Sequence, residues 1–376
     1  MKKIFIITGE YSGDIHASKV AQKLYEMNSD IEIEGVGGEN LKSAGVKLFS
    51  DQKKMSAVGL SPKIVIEHFT LGKRIVDYLT KEYKPDLVLL IDYGVFNLNI
   101  AKILKKAGIK TFYYIPPQVW ASRKWRINTI QKNIDEVLCI FPFEKELYES
   151  YGIKTHYCGH PLVSQLPSKA NRDEFFEKYN LDKTKKLVSI FPGSRKFELK
   201  QLMGVFIKSA QELEQKHPDI QVVISHAPNL SDKDFNKYLK HTNYRVIKGD
   251  NQGLLSISDG LILASGTVAL EAALYETPMI IAYRGPWLFY LIYLIVRCIK
   301  MVSLPNIIAN KIIVPEIIQG KVTADNISYE IERILYDQEY RAKYIKELSF
   351  VKSKLSDKIS STEVAQEISQ AIINKN

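Results

Sequence analysis

Strand-like and helix-like patterns alternate along nearly the whole chain, and this alternation restricts the fold more than any other feature. A first series of β-rich runs contains FIIT, IEIEGVG, DLVLLID, KTFYYI and EVLCIF, and it extends to about KTHYCGHPL. A second series contains LVSIFPGSR, IQVVIS, YRVIKG, GLILASG and PMIIAY. Strands that alternate with helices form parallel sheets with helices on both faces. The sequence therefore predicts an α/β protein with two doubly wound parallel sheets.

A polar, charge-rich passage, SKANRDEFFEKYNLDKTKK, separates the two series. With 376 residues, the chain is too long for one compact core and suits two domains. We predict an N-terminal domain over 1–165, a C-terminal domain over 186–350, and a C-terminal helix within 351–376 that packs back on the N-terminal domain. Two such halves joined near 161–186 imply a cleft between them.

Composition and charge restrict the class of protein. Hydrophobic residues make up 45% and charged residues 25%, which is ordinary for a soluble globular enzyme. The net charge of +10 favours an anionic partner, either nucleotide phosphate, nucleic acid or an acidic membrane surface. No aromatic-studded basic motif is present, so we expect no nucleic-acid partner. The chain begins directly with a core strand, which leaves no room for a signal peptide. Cys139, Cys158 and Cys298 are widely spaced without metal-ligand pairing, which predicts reduced thiols, a cytoplasmic protein and no bound metal.

Two hydrophobic segments need comparison with a membrane span. PWLFYLIYLIVRCIKMV is shorter than the roughly 20 apolar residues that a span requires, and it contains Arg297 and Lys300, so we predict a buried or interfacial helix. The segment MSAVGLSPKIVIEHFTLGKRIVDYL combines apolar residues with Lys63, Lys73 and Arg74. It suits either docking on a bilayer surface or an amphipathic helix that covers the sheet, and its periodicity favours the helix.

The first strand pattern ends in a glycine-bearing turn, Gly9-Glu10-Tyr11-Ser12-Gly13-Asp14. Helical spacing follows, and Asp14 is expected to cap that helix. Backbone N–H groups at a helix N-terminus suit an anion or a sugar, but Glu10 would repel phosphate and the G-x-G-x-x-G spacing is absent. The turn is therefore either a polar-ligand site or a structural corner.

Two comparable turns occur in the second half. Pro192-Gly193-Ser194-Arg195 follows a buried strand, and Ser265-Gly266-Thr267 follows another, with Glu271 one turn into the next helix. Backbone N–H groups and the Arg195 guanidinium suit a phosphate, and a carboxylate suits sugar hydroxyls. Each turn alone can equally be a capped corner. Together, on neighbouring strand ends, they predict a nucleotide-sugar site, because open α/β sheets bind ligands at that edge.

Twelve sequence blocks resemble a known family along nearly the whole chain. They occur in the family's order as GEYSGDIHA, GVGG, MSAVGL, PDLVLLID, FN, VWA, PFEKELY, GHPL, FPGSR, ASGTVALEAAL, SLPNIIA and VPEIIQ. The chain resembles the lipid-A-disaccharide synthase family. This resemblance implies a GT-B glycosyltransferase with two Rossmann-like domains, without metal or cofactor, whose C-terminal domain holds most of the sugar nucleotide.

The resemblance also implies a reaction. Family members join UDP-2,3-diacylglucosamine to 2,3-diacylglucosamine 1-phosphate with inversion, giving lipid A disaccharide 1-phosphate and UDP in lipopolysaccharide biosynthesis. Both substrates are acylated, so the expected partners are these lipids and an anionic membrane surface, with the protein peripheral on the inner face of the inner membrane. Segment 55–74 becomes the expected membrane-facing patch, and a homodimer is allowed. The alternatives are a related GT-B enzyme with a different acceptor and a UDP-sugar epimerase.

The resemblance assigns roles to individual residues. Asp92 matches the aspartate that begins the family's I-D-x-P-D-F-N motif, which implies the catalytic base, although a turn cap is the alternative from its position alone. His160 is either a ligand for a hydroxyl or phosphate or a satisfied interdomain histidine. The expected substrate-binding residues are Glu10, Ser12, Gly13, Asn97 and His160. The expected UDP-binding residues are Ser194, Arg195, Ser265, Gly266, Thr267, Glu271, Asn306, Glu316 and Gln319, with Glu316 and Gln319 near ribose or uracil.

Two departures from the family pattern lie beside Asp92. The chain has Tyr93-Gly94-Val95 where the family usually has Ala-Pro-Asp. It has Pro116-Pro117-Gln118-Val119-Trp120-Ala121-Ser122 where members often have S-P-S-V-W-A-W. The surroundings of the expected base are therefore specific to this chain.

Overall fold

Two parallel sheets organise the chain. The computed structural model describes residues 1–52, 62–240, 242–286, 298, 300–355 and 358–373, with the backbone alone for 62–67. The residues divide into two compact units, the first formed by Met1–Ser164 with Leu355–Asn376 and the second by Gln165–Lys354.

The first unit contains a seven-stranded parallel sheet in the order β3-β2-β1-β4-β5-β6-β7. Its strands are β1 (Lys2–Thr8), β2 (Ile31–Gly37), β3 (Lys47–Asp51), β4 (Leu87–Ile91), β5 (Thr111–Tyr114), β6 (Glu136–Cys139) and β7 (Thr155–Tyr157). Its first six helices are α1 (Tyr11–Met27), α2 (Glu39–Ser43), α3 (Pro62–Tyr78), α4 (Gly94–Lys106), α5 (Arg126–Asn133) and α6 (Pro142–Glu149). A π-helical turn, Leu79–Tyr83, extends α3, and a 3-10 turn spans Pro161–Ser164.

Central strands of this sheet are buried on both faces. All five residues of β4 are buried, which explains its continuous apolar sequence LVLLI, since helices cover both sides of a parallel sheet. Phe5 and Ile7 of β1, Leu90 of β4 and Tyr113 of β5 belong to one buried cluster. The strand-and-helix alternation of the sequence therefore predicts this core correctly.

The second unit contains a six-stranded parallel sheet in the order β10-β9-β8-β11-β12-β13. Its strands are β8 (Lys186–Phe191), β9 (Ile220–His226), β10 (Arg245–Lys248), β11 (Gly260–Ala264), β12 (Met279–Tyr283) and β13 (Glu316–Ile318). The helices of this half are α7 (Arg172–Lys178), α8 (Lys196–Lys216), α9 (Asp232–Leu239), α10 (Asn251–Ile257), α11 (Val268–Leu274), α12 (Leu304–Ala309), α13 (Ala324–Tyr336) and α14 (Gln338–Leu355). A 3-10 turn, Gln319–Lys321, follows β13.

The last helix, α15 (Ser360–Ile373), belongs to the first unit, which the chain re-enters at Leu355. Asn28 Nδ2, at the end of α1, donates to Ser369 Oγ at 2.9 Å, and the Tyr114 hydroxyl of β5 lies 2.7 Å from Ser360 Oγ. His156 of β7 contacts two carboxylates of this helix, both at 3.1 Å. Buried and half-buried polar contacts therefore join α15 to α1 and to the sheet.

The strand order reverses once in each sheet, between β1 and β4 and between β8 and β11. Open α/β sheets bind ligands outside the carboxyl ends of the strands at such a reversal. Glu10 and Asp92 follow β1 and β4, whereas Pro192–Arg195 and Ser265–Thr267 follow β8 and β11. The topology thus places the predicted turns at the two positions where ligand sites are expected.

One hydrophobic segment lies largely, and the other partly, outside the described residues. Residues 287–297 and 299 of PWLFYLIYLIVRCIKMV are outside them, as are Val58 and Leu60 of the other segment. Within the described part of the chain, no helix is long and apolar enough to cross a bilayer.

Candidate active site

Two carboxylates lie at the strand reversal of the first unit. Burial raises the pKa of Asp92, which follows β4. Partial burial of its carboxylate and the nearby Asp92 charge raise the pKa of Glu10, which follows β1 and is otherwise exposed. A Cβ atom on Gly9 would lie 2.6 Å from the ring of Tyr93, so the turns that carry Glu10 and Asp92 adjoin each other. The structure therefore brings together two groups that the sequence separates by 82 positions.

The backbone at Asp92 is unusual. Asp92 and Tyr93 have φ values of 48° and 52°, a left-handed conformation that few non-glycine residues adopt. The Asp92 carbonyl accepts hydrogen bonds from the Tyr113 hydroxyl at 2.7 Å and from Asn97 Nδ2 at 2.8 Å. Asn97 is fully buried, and it also donates to the Ile91 carbonyl at 3.2 Å. Asn97 thus fixes the backbone of the candidate base through hydrogen bonds to two successive carbonyl groups.

The opening turn is shorter than the sequence pattern indicates, because α1 begins at Tyr11. Asp14 does not cap its own helix. Its buried carboxylate instead accepts hydrogen bonds from the backbone N–H groups of Gly38, Asn40 and Leu41, at 2.7, 3.0 and 3.2 Å. Asp14 therefore stabilises the first turn of α2, a role that only the tertiary structure could reveal.

Gly13 and Ser12 occupy different environments at the start of α1. Gly13 is buried, and a Cβ atom there would lie 2.2 Å from Thr8 Oγ1, so close packing of β1 against α1 requires glycine. Ser12 is exposed on the first turn. Of these two predicted substrate-binding residues, Ser12 is the one whose side chain is accessible.

An apolar cavity of about 830 Å³ lies beside the carboxylates, between α3 and α4. The Tyr93 ring forms part of its wall: its hydroxyl hydrogen-bonds with His68 Nε2 at 2.9 Å, and a Cβ atom on Gly9 would lie 2.6 Å from its ring. Phe69, which is 77% exposed, also contributes. The lining residues are Glu10, His68, Phe69, Gly72, Lys73, Val76, Asp77, Tyr93, Gly94, Val95, Phe96, Asn99, Ile100 and Ile103.

His160 is buried in the first unit, where its ring packs 5.0 Å from the ring of Phe141. Its Nδ1 accepts a hydrogen bond from the Leu162 N–H at 3.2 Å. Burial and the proximity of His16 lower the pKa of His160 to about 3, so the ring is neutral at physiological pH. A neutral ring that accepts at Nδ1 carries its proton on Nε2, which is its remaining donor.

The turn after β8 differs from the prediction in one respect. The N–H groups of Ser194 and Arg195 are not available to a phosphate, because both donate to Glu198 Oε2, at 2.9 and 3.2 Å. Gly193 has a φ of 102°, and a Cβ atom there would lie 2.2 Å from the same oxygen. The Arg195 guanidinium is 80% exposed and 3.6 Å from Glu198, a surface pair of little strength.

A cavity of about 530 Å³ joins this turn to the one after β11. Ser194, Arg195, Ser265, Gly266, Thr267 and Glu271, all predicted to bind UDP, line it. Within the described part of the chain, the N–H groups of Gly266 and Thr267 have no hydrogen-bond partner. Burial raises the pKa of Glu271. Unpaired donors, a guanidinium and a carboxylate therefore converge on one cavity.

Asn306, Glu316 and Gln319 are not among the described residues that line this cavity. The Glu316 carboxylate accepts from the Ser303 N–H and from Asn306 Nδ2, both at 2.8 Å, which anchors the start of α12. Asn306 is fully buried, and its Oδ1 accepts two backbone N–H groups. Gln319 Oε1 accepts from the Gly285 N–H at 2.8 Å. In this structure the three side chains bind the protein's own backbone and one another.

Three residues of these sites were missed from the sequence. Glu198 follows the turn by three residues, which is the spacing of a helix-capping glutamate, so this signal was present. Tyr93 and His68 meet only through the packing of α3 against α4, and no local pattern predicts that contact. Among the residues described, no cluster of His, Cys, Asp and Glu could hold a metal ion.

Comparisons with known proteins identify the family of the chain. The model of the lipid-A-disaccharide synthetase family matches residues 4–372. This protein belongs to that family. Relatives named lipid-A-disaccharide synthase include one from Geobacter sulfurreducens, 35% identical over 94% of this chain and 93% of the relative. Another, from Coxiella burnetii, is 32% identical over 99% of each chain.

Solved structures share the fold at much lower identity. A putative UDP-N-acetylglucosamine 2-epimerase from Listeria monocytogenes aligns with a TM-score of 0.68 and 15% identity, covering 100% of this chain and 98% of the other. The glycosyltransferase of kitacinnamycin aligns with a TM-score of 0.66 and 11% identity, covering 99% of each chain. The prediction of a GT-B fold is confirmed.

Proposed function

We propose that this glycosyltransferase of the lipid-A-disaccharide synthase family uses Asp92 as the base that joins two acylated sugars. The donor is UDP-2,3-diacylglucosamine, the acceptor is 2,3-diacylglucosamine 1-phosphate, and the products are the disaccharide 1-phosphate and UDP. The observation that carries the assignment of the base is a half-buried carboxylate at the strand reversal of the first unit, beside a large apolar cavity.

The proposed chemistry is an inverting displacement. The acceptor's primary hydroxyl attacks the anomeric carbon from the face opposite UDP, and the Asp92 carboxylate removes its proton as the new bond forms. Burial raises the pKa of Asp92 and makes it a stronger base, which suits general-base catalysis near neutral pH. The Glu10 carboxylate is exposed, and we assign it hydrogen bonds to sugar hydroxyls.

The apolar cavity between α3 and α4 suits an acyl chain of the acceptor. Its volume of about 830 Å³ is within the range of about 300–1,000 Å³ that is usual for small-molecule sites. Glu10 and Tyr93 line this cavity together with residues of α3 and α4. An acyl chain placed between the two helices would therefore extend away from the carboxylates. The sugar headgroup would then remain beside Asp92.

The cavity after β8 and β11 suits the UDP-sugar. We assign the diphosphate to the Arg195 guanidinium and to the unpaired N–H groups of Gly266 and Thr267, since fork-shaped and backbone donors bind phosphate oxygens. The same groups would stabilise the negative charge that develops on departing UDP. Glu271 suits a sugar hydroxyl. For Asn306, Glu316 and Gln319 we propose support of the surrounding backbone, because their polar atoms already bind it.

We further propose that the protein acts at the inner face of the inner membrane. Both substrates are lipids, and Phe69 of α3 is exposed beside the cationic Lys73 of the same helix. Apolar and cationic side chains on one helix suit an anionic bilayer surface. The rest of the predicted patch, including Val58 and Leu60, lies outside the described residues, and Ile64 is described by its backbone alone.

The test is a transfer assay with purified full-length protein. Both lipid substrates are supplied in detergent micelles, the disaccharide is detected by mass, and UDP release is measured with and without acceptor. Acceptor-dependent UDP release together with the disaccharide supports the proposal. Conversion of a UDP-sugar to its epimer without acceptor would instead establish an epimerase, the activity named for several structures of the same fold.

A further inference from the structure

A second, smaller cavity lies in the first unit, between the end of β5 and the start of α5. Its volume is about 140 Å³, and Pro117, Gln118, Val119, Ala121, Ser122, Arg123 and Arg126 line it. A water molecule occupies about 30 Å³ in the liquid, so this space accepts a group of about four or five heavy atoms. That is the size of a phosphate.

Two cations face this space without a compensating anion. Within the described part of the chain, neither Arg123 nor Arg126 forms an ion pair, whereas Arg172 pairs with Asp259 at 2.7 Å. Burial and the charge of Arg123 lower the pKa of Arg126, which reports the repulsion between the two guanidinium groups. An anion bound between them would remove that repulsion.

The loop that carries these arginines is held in a strained conformation. Arg123 has a φ of 56°, in the left-handed region that bulky side chains rarely adopt. Trp120, three residues earlier, anchors the loop: its indole N–H donates to the buried Glu144 carboxylate at 2.8 Å. Strain that surrounding contacts maintain is concentrated at ligand sites, so the conformation is consistent with a built anion site.

The cavity adjoins the candidate base. A Cβ atom on Gly94 would lie 3.0 Å from Pro117 Cγ and 3.6 Å from Arg126 Nη1. Gly94 is two residues after Asp92 and begins α4. The acceptor carries its phosphate on C1 and its attacking primary hydroxyl on C6, and only the ring oxygen and C5 separate these two carbons. A phosphate held by Arg126 would therefore leave the attacking hydroxyl a short distance away, near Asp92.

We propose that Arg123 and Arg126 bind the phosphate monoester of the acceptor lipid. The inference rests on the proposed function and adds to it the recognition of the acceptor's charged end. Each guanidinium presents a planar fork of N–H donors that matches phosphate oxygens, which a lysine ammonium cannot reproduce. The pair thus selects a phosphorylated acceptor over the same lipid without phosphate.

The experiment compares two acceptors in nonionic detergent micelles, the 1-phosphate and the same diacylglucosamine without phosphate. Arg126→Gln should lower kcat/KM for the phosphorylated acceptor by about 10- to 100-fold, mainly through KM, since charge-assisted hydrogen bonds have this strength. Arg123→Gln should act in the same direction. Both variants should change kcat/KM for the unphosphorylated acceptor by no more than about twofold.

Two further variants separate a phosphate site from general effects. Lys124→Gln removes the same charge from the same loop but does not line the cavity, and it should leave the acceptor preference within about twofold of the original protein. Arg126→Lys should recover part of the preference. Thermal melts identify any variant that fails to fold. If Arg126→Gln fails to fold, the binding of glucosamine 1-phosphate is measured by calorimetry on Arg126→Lys instead, and weaker binding than to the original protein supports the phosphate site.

Several results would overturn the proposal. An equal loss with both acceptors would make Arg126 a structural residue. Weaker flotation of the Arg123 and Arg126 variants with phosphatidylglycerol vesicles, at unchanged acceptor preference, would assign the pair to a lipid headgroup. If the original protein makes no disaccharide but binds glucosamine 1-phosphate through Arg126, the phosphate site stands while the proposed function fails. Absence of that binding would refute the site itself.

Discussion

Replacement of Asp92 by asparagine isolates the proton-accepting role of its side chain. Asparagine tolerates the φ of 48° at this position, so the backbone need not change. The two hydrogen bonds to the Asp92 carbonyl come from Tyr113 and Asn97 and are also kept. A positioned base contributes about 10²- to 10⁴-fold to a rate. We therefore expect kcat to fall by that factor, which corresponds to about 3 to 5 kcal/mol of activation free energy.

Stability should move in the opposite direction. Burial raises the pKa of Asp92 in the folded state, so folding disfavours the ionised carboxylate. The folded protein therefore loses stability as the pH rises from the unfolded pKa of Asp92 through its folded pKa. An amide has no such penalty. At pH 7 the Asp92→Asn variant should be as stable as the original protein or more stable, and the difference should vanish below both pKa values.

The assay measures kcat, UDP affinity and thermal melting on the same preparations. UDP affinity by calorimetry should stay within about twofold, because the proposed nucleotide site is in the other unit. Asp30→Asn is the matched control and should leave kcat unchanged, because Asp30 is exposed and precedes β2, at the amino ends of the parallel strands and opposite the edge that carries Asp92. A kcat within tenfold of the original would remove Asp92 as the base. A melting temperature lowered by several degrees at pH 7 would instead support a turn-capping role.

Three further predictions concern separate parts of the chain. Arg195→Ala should weaken UDP binding by about 10- to 100-fold and slow transfer, because its guanidinium lines the proposed nucleotide cavity. The control Arg245→Ala, in β10, should change neither property. An unchanged calorimetric affinity of Arg195→Ala for UDP would make Arg195 structural. Asp14→Asn should lower the free energy of unfolding by about 2 to 4 kcal/mol in urea titrations. The Asp14 carboxylate accepts four hydrogen bonds through two oxygens, and the amide keeps only one acceptor oxygen. A loss below about 0.5 kcal/mol would contradict this reasoning. Phe69→Ser should reduce liposome flotation at an unchanged melting temperature, since its side chain is exposed; a lower melting temperature with unchanged flotation would place it in the core.

The sequence predicts the sheets well, because each buried strand is a local apolar run and is followed by a segment whose apolar residues recur at helical spacing. Two strands escape this reasoning. The first is β3, KLFSD, which is an edge strand with mixed exposure, and the second is β13, which has only three residues. An edge strand needs less apolar sequence, because one side is unpaired and exposed to solvent. Its pattern therefore merges with that of loops.

The sequence also predicts which turns converge, since parallel strands end at the same edge. It does not predict which partner each polar group takes. Asp14 stabilises α2 instead of its own helix, and Glu198 occupies the N–H groups that a phosphate was expected to bind. Tyr93 meets His68 across two helices. These partners are set by side-chain directions in the folded units, and only Glu198 has a local signal in its spacing.

The conformation at the end of β4 explains why several of these features occur together. Consecutive left-handed residues such as Asp92 and Tyr93 cost about 1–3 kcal/mol each, so the surrounding contacts must maintain them. Hydrogen bonds from Tyr113 and Asn97 fix the Asp92 carbonyl, and the Tyr93 ring fills the space against Gly9. Tyr93 lines the apolar cavity, whereas its neighbour Asp92 is not among the described residues that line it. Under the proposed function, this backbone distortion would place Asp92 at the reacting end of the acylated sugar and Tyr93 at its hydrocarbon end.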